Sequence, residues 1–271
     1  MSVKGLRNLY QPIQPAVKQS AEDEVFYHEY LPDLRLQQLI YCFWELKTER
    51  PLQADFCYRV VADGCMDLLM EMNNPSASYI TGLATSYIEF PIGPYFHYIG
   101  IRFLPGGFPR FFGVDASTLT NRFEDLKAVV PELSDFLTGR FVEAQKVSTL
   151  KEILDQYFLE RLVAAPLQDD HRVLEAMKLI LEQRGQIPLA KLNTGLSPRQ
   201  LRRRFHFYLG DSAKTFSKVV RFQQFLQAKP SRQALKQDKL FYDVGYYDQA
   251  HFIKEFKHFY GLTPNKALEW L

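Results

Sequence analysis

The residues with the clearest chemical potential are cationic and lie late in the chain. Arg199, Arg202 and Arg203, with His206 a turn further on, follow Ser197-Pro198 in a segment where Leu201, Phe205, Tyr208 and Leu209 recur at helical spacing. At about 100° per residue, Arg199, Arg203 and His206 fall within a narrow arc, Arg202 flanks it and Arg204 points elsewhere. A guanidinium presents a donor fork that matches guanine O6/N7 or a phosphate, so this face suits a polyanion. A merely solvated helix face has the same composition, and this segment alone does not separate the two.

A second set follows about fifty residues later. Gln249, His251, Lys254 and Lys257 face outward from a segment whose Phe252, Phe256 and Phe259 face inward. Each set needs the same scaffold: a preceding helix, a tight turn and an N-cap. For the first, Pro188–Leu192 reads as a short helix, Thr194-Gly195-Leu196 as the turn, and Ser197-Pro198 as cap and first helical residue. For the second, Gln233–Leu240 reads as the short helix, Asp243–Tyr247 as the turn and Asp248 as the cap, with Gly261 ending the helix. A long helix from about Ser212 to Ala228 joins the units, and Val173, Met177, Ile180 and Leu181 stripe a helix ahead of the first. An apolar inner and basic outer face after a glycine-bearing turn is a helix-turn-helix pattern, here occurring twice.

Charge is distributed accordingly. Residues 169–271 carry 18 Lys/Arg against 10 Asp/Glu, whereas residues 1–168 carry 15 against 21, so a net +2 hides a basic half and an acidic one. The 271-residue chain, 46% hydrophobic and 24% charged, is neither disordered nor fibrous and is long enough for one to two cores. Three cysteines without CxxC spacing fit a reducing cytosol, and no apolar run has signal-peptide or membrane-spanning length. A soluble cytoplasmic protein is expected.

The first half reads differently. From about Val25 to Phe112, short β-rich segments are cut by turns: Phe56–Ala62, Cys65–Met72, Ser78–Ile80, Tyr87–Phe90 and Tyr95–Phe103, with Asp63-Gly64, Gly93-Pro94 and Pro105-Gly106-Gly107 between them. This spacing predicts a small barrel or sandwich. Leu34–Leu46 fits a helix or a strand equally. Ser117–Leu126, Leu133–Val142 and Ser148–Val163 read as helices, whose unpartnered apolar stripes are candidates for pairing two copies. The break at Ala164–Asp170 divides the chain into a β-rich sensing or dimerisation domain, 1–165, and an all-α domain, 166–271.

Sharper chemistry in the first half fails on spacing. Only His28 and His97 occur there, without the His-x-His pair of a metal-binding cupin, so no metal or cofactor is expected. Arg102–Arg110 is glycine-rich but lacks the Gly-Lys-Ser/Thr of a phosphate loop. Asp63 and Asp67 read as a turn residue and an exposed strand residue, and Cys65 as a structural thiol. Tyr58, Phe90, Tyr95, Phe96, Tyr98 and Phe103 are core or pocket aromatics. No catalytic centre is expected.

Two stretches resemble a known family. GYYDQAHFIKEFKHFYGLTP, residues 245–264, is very similar to the second helix-turn-helix signature of the AraC/XylS transcription regulators, and GLSPRQLRRRFHFYLG, residues 195–210, resembles their first recognition helix. The match spans roughly residues 170–265. It implies an α+β chain: a β-barrel-like (cupin-like) sensing domain with helices, then an all-α DNA-binding domain with two helix-turn-helix units. Their recognition helices would enter major-groove segments about 34 Å apart on duplex DNA. Carried over, the base-reading positions are Arg199, Arg202 and Arg203, then Gln249, Ala250, His251 and Lys254, with His206 and Lys257 on phosphates. Ala250 can offer only a methyl contact to thymine. Asn265-Lys266-Ala267-Leu268 departs from the family's usual Tyr-Arg, so no backbone contact is assigned there. Residues 62–68 (ADGCMDL) and 100–103 (GIRF) followed by Pro105-Gly106 resemble the sensing domains that precede such units. That likeness implies a small-molecule effector, a homodimer, or both. Two alternatives stay open: a DNA-binding segment fused to an unrecognised catalytic barrel, or a helical protein-interaction module.

Overall fold

β-branched and aromatic residues in short alternating runs become ladder partners here, and the turns between them set the register. The computed structural model describes residues 5–15, 25–140, 147–229 and 240–268. Its strands are β1 (Val25–Tyr30), β2 (Ile40–Thr48), β3 (Phe56–Val60), β4 (Met66–Glu71), β5 (Asn74–Thr81), β6 (Ile88–Gly93), β7 (His97–Phe103) and β8 (Phe123–Asp125). Six of them form an antiparallel sheet in the order β1-β2-β7-β4-β5-β8, while β3 and β6 pair apart as a ribbon. The ambiguous Leu34–Leu46 resolves into a turn followed by β2. In the ribbon, Pro91 lies opposite Cys57, next to the irregularity at Phe56/Cys57; a residue without an N–H is tolerated in such an edge ladder.

The helix expected over Ser117–Leu126 does not form. Asp115 caps only a short 3₁₀ turn, Ala116–Thr118, and Asn121 follows in the left-handed region at φ 57°. The Asn121 carboxamide is bonded to Thr85, and Phe123–Asp125 pairs with Tyr79–Thr81 at the sheet edge. Tertiary pairing overrides local helical spacing at this point.

One face of the sheet packs on helices. Phe43, Leu68, Met70, Ile80, Ile99 and Ile101 share a core with α2 (Gly107–Phe112), α3 (Leu126–Val129), α4 (Pro131–Arg140) and α5 (Val147–Ala164). Leu133, Leu137, Leu150, Leu154 and Phe158 are fully buried in it. The stripes read as unpartnered are therefore spent within the chain, because the sheet offers an apolar face that no sequence window contains.

The rest is helical: α6 (His171–Glu182), a 3₁₀ turn Leu189–Lys191, α7 (Pro198–Leu209), α8 (Ala213–Gln227), α9 (Leu240–Asp243), α10 (Gln249–Tyr260) and α11 (Pro264–Ala267), following a short N-terminal α1 (Leu6–Leu9). The helix expected over 233–240 lies almost wholly outside the described residues. Two cores cross the 165/166 position. Leu6, Tyr10 and Leu104 join α6–α8, and Val61 and Ala62 join Phe222, Phe256 and Phe259. Arg110 grips Asp169 at 2.6 Å, and Tyr208 donates to the Gln168 carbonyl at 2.8 Å. No helix among the described residues is long and apolar enough to cross a membrane.

Candidate nucleic-acid interface and enclosed pocket

The first basic helix is set by its ends. Ser197 accepts from the Gln200 N–H at 3.3 Å while the Gln200 side chain accepts from the Ser197 N–H at 2.9 Å, a reciprocal capping box with Pro198 in the first turn. Gly210 closes the helix at φ 91°, a conformation that favours glycine. Leu201, Phe205, Tyr208 and Leu209 are buried, which leaves Arg199, Arg202 and Arg203 exposed and His206 half-buried. Among the described residues none of these three arginines has an ion-pair partner, whereas Arg204, off the face, meets Asp170 at 3.2 Å.

The second helix repeats the construction. Asp248 accepts from the His251 N–H at 2.7 Å, and Gly261 ends the helix at φ 88°. Gln249, Ala250, His251, Lys254 and Lys257 are exposed over a buried Phe252, Phe256 and Phe259. Sequence reasoning missed Glu255, which sits on the buried arc. It meets Lys218 of α8 at 3.0 Å and Arg221 at 3.5 Å, and His251 from outside at 3.8 Å. An acid among three phenylalanines was the available signal: a charge on a buried arc needs a partner.

Both helices lean their C-terminal ends on the sheet region. Thr120 donates to the Gly210 carbonyl at 2.8 Å, and the Tyr87 ring covers Gly261 while the Tyr87 N–H bonds the His258 carbonyl at 3.2 Å. Their N-terminal turns, with Arg199 on one and Gln249 to His251 on the other, are exposed.

The other sheet face builds a pocket. Pairing register sets Cys42, Arg102, Asp67 and Thr81 in one row, and Trp44, Gly100, Leu69 and Tyr79 in the next. Arg102, Asp67, Thr81, Trp44, Leu69 and Tyr79 of these rows, with Tyr58, Val60, Ile88, Phe90 and Ile92 of the β3–β6 ribbon opposite, line a pocket open to solvent, about 840 Å³ counting the solvent space at its mouth. Gly100 is required: a Cβ there would lie 2.0 Å from the Trp44 ring. The indole instead crosses the glycine, and its N–H reaches Asp67 at 2.8 Å.

Asp63 and Asp67 are thus not a simple turn residue and an exposed strand residue. Arg102, 2% exposed, donates its Nε–H to Asp67 at 3.1 Å and stands 3.8 Å from Asp63. Burial, and then the neighbouring Asp63, raise the Asp67 carboxyl, opposed by Arg102. Asp63 also accepts from the Cys65 N–H at 2.9 Å and the Gln14 amide at 2.7 Å. Partners 35 residues apart in sequence are what a local reading cannot see. Cys65 is buried and its thiol is pushed up by desolvation, as a structural thiol should be. Of the aromatics singled out, Tyr58, Phe90 and Tyr98 line the pocket, Phe96 and Phe103 are core, and Tyr95 is exposed.

Fold and surface together define a helix-turn-helix class: two capped helices with free polar faces, braced by a common long helix. Residues 189–269 match a family model described as a helix-turn-helix domain, and this segment is an AraC-type helix-turn-helix domain, in agreement with the sequence resemblance. Residues 28–125 match a model described as a domain of unknown function. No curated protein is detectably similar. Among solved structures, ToxT from Vibrio cholerae O395 is similar at TM-score 0.41 and 14% identity, covering 81% of this chain and 97% of that one. Unsaturated fatty acid-bound wild-type ToxT from Vibrio cholerae strain SCE256 gives TM-score 0.40 and 11% identity, over 91% and 95%. Likeness at that distance transfers neither ligand nor partner to this chain.

Proposed function

We propose that this chain is a sequence-specific transcription regulator in which α7 and α10 read successive major-groove segments of one duplex. Arg199, Arg202 and Arg203 contact guanines, Gln249 favours adenine, Ala250 offers a methyl contact, His251 and Lys254 reach bases, and His206 and Lys257 hold phosphates. The observation that carries this reading is the free face. Side chains long enough to reach a groove stand exposed on two helices whose opposite faces are fully spent on their own cores. Residues 166–271 act as the DNA-binding domain and residues 1–165 as a sensor, with the two sheets serving as an open, barrel-like enclosure for a small effector. The apolar faces of α4 and α5 are buried within the chain and do not serve for pairing two copies. Titration of the full chain against its own upstream region and a scrambled duplex, across a salt series, tests the DNA reading. Preference for the natural fragment is expected, and equal affinity overturns it.

A further inference from the structure

The pocket's charge balance says what kind of molecule it takes; this inference rests on the reading of that pocket as a ligand site. Among the described lining residues the side chains bearing formal charge are Asp63, Asp67 and Arg102, with no lysine or histidine. One guanidinium thus serves two carboxylates. Asp63 has other partners, but the Gln14 amide and the Cys65 N–H bring hydrogen bonds without charge. With both acids ionised the floor carries one net negative charge, and a cation entering there offsets the burial and the Asp63 charge that raise the Asp67 carboxyl.

The walls favour the same sign. Trp44, Tyr58, Tyr79, Phe90, Tyr98 and Phe123 surround the space, with Tyr79 and Phe123 stacked at 4.4 Å and Phe90 5.6 Å from Phe123. Aromatic faces are electronegative and attract cations. A cation therefore gains from floor and walls together, while a carboxylate would be the third acid around Arg102. We propose that the pocket binds an amphipathic organic cation, an alkylated or protonated ammonium on an aromatic or branched apolar body. Its head lies toward Asp63 and Asp67, and its body lies against the β3–β6 ribbon.

Equilibrium dialysis of the full chain against benzyltrimethylammonium, its uncharged carbon isostere neopentylbenzene, and 4-phenylbutyrate tests this. The expected result is at least tenfold tighter binding of the ammonium than of either other probe. That preference should shrink to less than threefold in Asp67→Asn or, if that variant does not fold, in Asp63→Asn. The unmodified chain's selectivity is informative on its own. Equal or tighter binding of the isostere or the phenylbutyrate overturns the cation assignment and leaves the pocket standing as a ligand site. Full discrimination retained by both variants also overturns it, and binding of none of the three removes both the assignment and the site.

Discussion

Arginine is used in two opposite ways in this molecule. Arg102 is buried at the floor of a pocket and held by two carboxylates, whereas Arg199, Arg202 and Arg203 stand in solvent with no acid opposite them among the described residues. The difference teaches where each charge is completed. A buried guanidinium must find its counter-charge inside the fold, since an unpaired charge in a desolvated site is costly. A solvated one can wait for an external polyanion. Glu255 marks the same boundary in the second unit. It pairs with Lys218 and Arg221 on the inner side of α10, while Lys254 and Lys257 stand exposed outside with no ion-pair partner among the described residues.

That contrast can be broken by substitution. The largest effect is expected at the buried end: Arg102→Met should lower unfolding free energy by about 3–5 kcal/mol, because it strands two carboxylates. Urea denaturation measures it, and a loss below about 1 kcal/mol would show the floor to be solvated rather than paired. Gly100→Ala comes next. Its methyl group must displace the Trp44 ring, at a cost of about 1–3 kcal/mol in the same assay, with a change in the near-ultraviolet dichroism of that tryptophan. At the open end, Arg203→Ala and Lys254→Ala should leave stability within about 0.5 kcal/mol yet each weaken operator binding by about 1–3 kcal/mol. Selection of binding sites from random duplexes should show specificity relaxed at different half-sites in the two variants, and unchanged motifs would defeat the residue assignment. Smallest is Lys257→Ala, which should weaken all duplexes alike and reduce the salt slope by about one, read from affinities across a potassium series.

The two regions also differ in how much of them local sequence could reveal. In the helical half, Ser197-Pro198, Asp248, Gly210 and Gly261 are caps whose partners lie within four residues, so helix limits and faces followed from spacing alone. Arg204 was separated from the reading face by rotation angle, and its bond to Asp170 agrees. The sheet half resisted the same treatment. Ser117–Leu126 has helical spacing but supplies an edge strand, and Asp67 looked like a surface strand residue until β7 brought Arg102 beside it. The apolar stripes of α4 and α5 appeared to await another chain until the sheet covered them.

What the sequence determined alone is therefore what depends on near neighbours: the two capped helices, their polar outward faces, and the split between an acidic and a basic half. Cap bonds and helical rotation act over three or four residues, so a window of that size contains the whole cause. Tertiary structure alone decided the pocket and its charge. Cross-strand register joined Arg102 to Asp67, a glycine two residues from Arg102 made room for an indole, and the β3–β6 ribbon closed the other wall. Each of these joins segments tens of residues apart, and pairing across such distances is set by packing of the whole sheet rather than by any local preference.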